Sequence, residues 1–181
     1  MLAYFQIENN EKFPFFAYKN QDRKNLTKDD YIQAAKQLSK QAREYIVFID
    51  KASGHRIDTV FDTVYPFISN CGFACELMLK SLLCYEQCDL GLILKGSERH
   101  SLLKLFDLLS DEIKTKITSH RFFTLRKNED FYTNLKENAQ AFTNLRYASD
   151  YKELVVDMYF LPNLMVILHN ILKEVERENN S

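Results

Sequence analysis

Cysteines, histidines and a few charges set in apolar stretches are the groups from which this sequence can build a chemical site. Cys71, Cys75, Cys84 and Cys88 form two pairs with i, i+4 spacing, which on a helix brings each pair to one face and would suit zinc. At about 100° per residue, however, Cys71 and Cys75 point to roughly 0° and 40°, and Cys84 and Cys88 to roughly 220° and 260°. One straight helix cannot bring the four together, so the spacing predicts small buried thiols in a reducing compartment and no metal site. His55, His100, His120 and His169 are scattered, with no i, i+4 pair and no H-E-x-x-H string. The phosphate-loop strings G-x-x-x-x-G-K-[ST] and G-x-G-x-x-G and the nucleophile elbow G-x-S-x-G are missing too, and no cofactor is expected.

The charged residues say more. Glu76 and Lys80 stand four apart in an otherwise apolar run, and Arg146 and Asp150 repeat that spacing. A charge on an apolar face needs a partner, so Glu76 or Asp150 is expected to pair with Arg146. A Glu76 pairing would fix the register between two helices. Between Lys114 and Lys127 the run KTKITSHRFFTLRK holds Lys114, Lys116, Arg121, Arg126 and Lys127, two adjacent phenylalanines and no acid. Cations interleaved with rings suit single-stranded RNA, phosphates on the cations and bases on the rings. The competing reading is a solvated loop anchored to the core by Phe122 and Phe123. The net charge of −1 excludes coating nucleic acid by bulk electrostatics, and the three basic and six acidic side chains from Tyr147 to Ser181 would repel phosphate.

These groups need a scaffold, and composition favours helices. At 181 residues, 46% hydrophobic and 27% charged, the chain has the size and balance of one globular domain. Its 4 glycines and 3 prolines are too few for the turns of an all-β sandwich. Residues 1–26 show no sustained period and read as an extended N-terminal arm; residues 27–181 read as a single helical domain. Thr27, with Asp29 and Asp30 in the turn that follows, starts a first helix whose stripe is Tyr31, Ala35, Leu38, Ala42, Tyr45 and Ile49. Asp58 caps a second, apolar on most sides and central in the fold, with a bend expected at Pro66. A glycine-containing loop over 88–97 precedes a short helix, SLLKLFDLL, and a turn, DEIKTKI. A fourth helix spans roughly Asp130 to Tyr151, its inner stripe Phe131, Leu135, Phe142, Leu145 and Ser149. The last, roughly Glu153 to Glu178, carries Leu154, Met158, Leu161, Met165, Leu168, Leu172 and Val175 at alternating spacings of 4 and 3, with Pro162 kinking it or starting it afresh. That repeat suits burial in a bundle or a seam between subunits. The whole predicts an all-α, antiparallel bundle of about five helices. The start MLAYFQIENNEKF has no leader pattern, and the longest uncharged stretch, Met158–Leu172, is too short for a membrane span, so a cytoplasmic protein with no membrane partner is expected.

Two stretches carry a family resemblance. Phe73-Ala74-Cys75-Glu76-Leu77-Met78-Leu79-Lys80-Ser81-Leu82-Leu83, followed by Gly96-Ser97-Glu98-Arg99-His100-Ser101-Leu102-Leu103-Lys104-Leu105, is similar to the E-L-x-L-K-x-L-L helix, loop and G-H-x-L-x-x-L of the HEPN superfamily. Ala141-Phe142-Thr143-Asn144-Leu145-Arg146-Tyr147-Ala148-Ser149-Asp150 resembles that family's F-x-x-x-R-Y-x-x-E variant. The resemblance covers roughly residues 58–175. It implies a dimerising bundle of the kind found in prokaryotic defence and toxin–antitoxin systems, with RNA, a cognate antitoxin or a nucleotidyltransferase-type protein as partner, and a homodimer. Catalytic members cut RNA without metal, using an arginine and a histidine separated by four to six residues. Arg146 matches the arginine; Tyr151, Lys152 and Glu153 stand where the histidine belongs. Histidine is the side chain that titrates unaided near neutrality, so Tyr151 or Lys152 would need a strongly lowered pKa to replace it. The expected function is therefore binding of RNA or a partner protein without efficient catalysis. The alternatives are a metal-independent ribonuclease built on Arg146 with Tyr151 or another unrecognised partner, and a protein-interaction scaffold.

Overall fold

The computed structural model describes residues 27–53, 60–88, 93–125, 130–140 and 159–179, and their regular elements are all helices, without a strand. Seven α-helices follow in order: α1 Lys28–Ser53, α2 Val60–Tyr85, α3 Leu102–Asp107, α4 Asp111–Thr118, α5 Arg121–Leu125, α6 Phe131–Glu137 and α7 Phe160–Glu178. A 3₁₀ turn, Gly96–His100, leads into α3. The arm expected over 1–26, the Asp58 cap and the segment 141–158 with Arg146, Asp150 and Tyr151 lie outside the described residues, as do Arg126 and Lys127.

Each start has a local cause. Thr27 Oγ1 accepts the Asp30 N–H at 3.3 Å while the Asp30 carboxylate accepts the Thr27 N–H at 2.7 Å, a reciprocal cap that opens α1. Ser101, Ser110 and Asp130 cap α3, α4 and α6 in the same manner. DEIKTKI, expected as a turn, is thus a full helix, because Ser110 supplies its cap and Asp111 and Glu112 sit at its positive end. α7 begins at Phe160, which places Pro162 in the first turn, where a missing N–H costs no intrahelical bond. Pro162 thus stands at the start of the described helix, while the expected stretch from Glu153 to Met158 lies outside the described residues. α2 continues through Pro66.

α2 is central: α1, α3 and α7 all pack on it. Ala34, Ala35 and Ala42 of α1 and Ala74 of α2 are small and buried, which brings the two backbones close, and Ser81 Oγ donates to the Ala35 carbonyl at 2.7 Å. Cys75 Sγ lies 3.7 Å from the Leu161 carbonyl, which sets the start of α7 against the middle of α2. Phe67–Tyr85 is long and apolar enough to cross a membrane, and it lies mostly buried among the other helices. α7 buries Leu161, Met165, Leu168 and Leu172 together with Phe160, Leu164, Ile167 and Ile171. The described part of its 4-3 repeat is therefore buried inside the chain, the first of the two readings of that stripe, while Leu154 and Met158 lie outside the described residues. A cluster of rings closes the other side: Phe131 of α6 sits 5.1 Å from Phe106 of α3, 4.9 Å from Phe123 of α5 and 5.8 Å from Phe160 of α7.

Candidate functional site

Among the described residues, the one charged side chain buried in this core is Glu76. α2 is apolar around it, and α1, α3 and α7 leave the side chain only 1% exposed. Lys80, one turn on, brings Nζ to 2.5 Å from Oε1. His100, at the end of the 3₁₀ turn, places Nδ1 2.9 Å from the same oxygen, while its side chain stays 49% exposed. Oε2 is buried and has no hydrogen-bond partner among the described residues. A carboxylate accepts hydrogen bonds only, so a neutral His100 must carry its proton on Nδ1 to bond Glu76, leaving Nε2 as an acceptor. The arrangement is a buried carboxylate that orients an imidazole, with an ammonium beside it. Such a group can bind an anion at the lysine or take a proton at the ring.

The surroundings of the site are tied together. The N–H of Ser101, the residue after His100, bonds to Glu98 and Leu102 N–H donates to Ala139 O at 2.9 Å, which fixes the end of α6 beside the 3₁₀ turn. Leu161 at the start of α7 touches Cys75, the neighbour of Glu76. Ala139 is thus tied to Leu102, two residues past His100, and Leu161 to Cys75 on α2.

Other sequence candidates fall elsewhere. Burial pushes the Cys71 thiol up to about 12 and raises Cys75 well above its ordinary value; among the described residues no three His, Cys, Asp or Glu side chains gather to hold a metal. Lys114 lies 3.9 Å from Asp111 and Lys116 3.0 Å from Glu112, acids that stand one turn before the basic run. The hydrogen bond to Glu112 raises the pKa of Lys116, with Glu178 and Glu174 of α7 adding to it. Phe123 is spent in the ring cluster and Phe122 packs on its edge, 5.2 Å from Phe123. Arg121 remains exposed. Among the described residues, the basic run is therefore a charge-balanced face with its rings turned inward.

Two features were not visible in the sequence. The first is the meeting of Glu76 with His100, 24 residues apart, although both stand in the motif that carries the resemblance. The second lies at the far end of α2, where Glu176 of α7 takes two bonds from Arg43 at 3.0 and 2.8 Å and one from the buried Ser39 hydroxyl, both on α1. The Tyr85 hydroxyl beside it is buried without a hydrogen-bond partner, and burial, then the charge of Glu176, pushes its pKa up to about 12. Against family models, curated proteins and solved structures alike, the chain has no match.

Proposed function

We propose that the chain is a HEPN-like domain, a bundle of about five helices in antiparallel arrangement, which acts by binding RNA or a partner protein in a bacterial defence or toxin–antitoxin type system, without efficient catalysis. The observation that carries this reading is the Glu76–His100 contact, because it joins the two halves of the first resembling stretch, E-L-M-L-K-S-L-L and G-S-E-R-H-S-L-L, in space. Among the described residues one oxygen of the Glu76 carboxylate has no donor, and Arg146 is the proposed one, as its spacing to Asp150 and the apolar setting of Glu76 led the sequence to suggest. Of the two ligands, a partner protein has the firmer footing: Lys114 and Lys116 stand beside acids, which among the described cations of the run leaves Arg121 to face phosphates. The proposed homodimer uses a surface other than the buried stripe of α7. End-labelled single-stranded RNA incubated with the protein in EDTA should stay intact on a denaturing gel, and a native gel should show whether it is bound at all. EDTA-resistant cleavage that Arg146→Ala abolishes would sink the non-catalytic reading.

One observation favours the second reading, a metal-independent ribonuclease. The motif after Arg146 lacks its histidine, and His100, whose ring is oriented by Glu76 and half exposed, is a histidine free to take that role. In that reading His100, not Tyr151, is the unrecognised partner of Arg146. Cleavage lost in both His100→Ala and Arg146→Ala, but retained in Tyr151→Phe, would establish it; cleavage indifferent to His100 would remove it.

A further inference from the structure

The Glu76 site holds more hydrogen-bonding capacity than its own residues use. Lys80 Nζ and His100 Nδ1 both rest on Glu76 Oε1, at 2.5 and 2.9 Å, so the two nitrogens stand no farther apart than those two distances joined end to end. An ammonium has three donors, and the two of Lys80 that Glu76 leaves over meet no acceptor among the described residues. With Nδ1–H given to Glu76, a neutral His100 keeps an acceptor at Nε2 that meets no donor among them either. Both groups reach solvent, Lys80 at 15% exposure and His100 at 49%. Glu76 cancels the charge of Lys80, and in the 3₁₀ turn Glu98 stands beside Arg99, so the place is close to neutral. A ligand is therefore selected there by its hydrogen-bond pattern more than by its charge.

We propose that Lys80 and His100 form a small oxyanion site, which takes a phosphate oxygen on Lys80 and an O–H hydrogen next to that oxygen on His100 Nε2. The division of roles matches: Lys80 offers only donors, neutral His100 offers an acceptor, and Glu76 holds both in place. Two sources carry that pair of groups. The hydrogen phosphate dianion has an O–H on the same phosphorus as its charged oxygens, and a ribonucleoside 3′-phosphate has the 2′-hydroxyl beside them. Sulfate and the 2′-deoxynucleotide present the same anionic oxygens without that O–H, and each would face Nε2 with nothing to donate. The site stands apart from both readings of the chain's function, since it asks nothing of Arg146 and needs no bond to be broken.

Titration of the full chain with phosphate and with sulfate tests it, at about pH 8 and fixed ionic strength, where both ions are dianions. The His100 ring nitrogens are followed by NMR and assigned by their loss in His100→Leu. Phosphate should shift them along a saturating curve, and sulfate should bind roughly three- to tenfold more weakly, the ratio that one hydrogen bond gives. His100→Leu, a change at a half-exposed position, should keep the fold and hold the two anions equally, read from the backbone amides around Lys80. Adenosine 3′-phosphate against its 2′-deoxy counterpart assigns the source: a like preference for the ribose form extends the site to ribonucleotides, and equal binding of the two confines it to free phosphate. Equal affinities within both pairs, or a preference that survives in His100→Leu, would overturn the proposal.

Discussion

Glu76 and Glu176 are both carboxylates that join separate elements, and they are satisfied in opposite ways. Glu176 is 17% exposed and has Arg43 on both oxygens and Ser39 on one. Glu76 is 1% exposed, shares one oxygen between Lys80 and His100, and leaves the other bare. A well-paired carboxylate near the surface contributes little but costs little, whereas a buried one with an orphan oxygen carries a penalty of about 1–3 kcal/mol. Stability accounts for Glu176. Among the described residues it does not account for Glu76, whose second oxygen is left for the donor that the proposed function would supply.

That contrast can be broken or sharpened by substitution. The largest effect is expected where a carboxylate has no partner at all: Leu168→Asp, at a wholly buried position of α7, should cost more than about 4 kcal/mol and abolish the far-UV helical signal. A folded Leu168→Asp monomer would mean that this stripe faces outward after all. Next comes Lys80→Met, which strands the Glu76 charge and should cost roughly 2–3 kcal/mol in urea unfolding, somewhat less than a wholly buried pair because Lys80 reaches solvent. Glu76→Leu should by contrast be neutral within about 1 kcal/mol or stabilising, since it removes the charge along with the need for a partner. If Glu76→Leu destabilises more than Lys80→Met, Glu76 is structural and the distinction fails. Arg43→Met should cost only about 0.5–1 kcal/mol, as the guanidinium is 41% exposed and screened, and the loss should shrink in high salt. The smallest expectation is a null: at pH 8, Cys71 and Cys75 of the native protein should stay unalkylated while the part-exposed Cys88 reacts, because burial holds the first two thiols protonated.

What could be read from the sequence follows the range of the forces involved. The Thr27 start of α1, the apolar character of α2 and the inward stripe of α7 are written in neighbouring residues, and the helices follow them. The Glu76–Lys80 pair is likewise a matter of one helical turn. His100 reaches Glu76 only because the 3₁₀ turn folds back on α2, and Glu176 reaches Ser39 and Arg43 across more than 130 residues, so no local pattern announces either. For the basic run the sequence offered two readings, and the described residues bear on them through packing. Its cations are plain in the sequence, but the acids that offset them stand a turn earlier in α4 or on α7, and the phenylalanines belong to a core assembled from four helices.

That assembly of rings has a spectroscopic consequence. Phe106, Phe123, Phe131, Tyr132 and Phe160 come from α3, α5, α6 and α7 and touch one another at 4.9–5.8 Å, in a chain with no tryptophan to mask them. Their fixed mutual orientation should therefore contribute strongly to the near-ultraviolet dichroism and serve as a built-in gauge of whether the four helices are locked together. A state that keeps its helices but loses their packing should lose that signal and leave the far-ultraviolet signal in place.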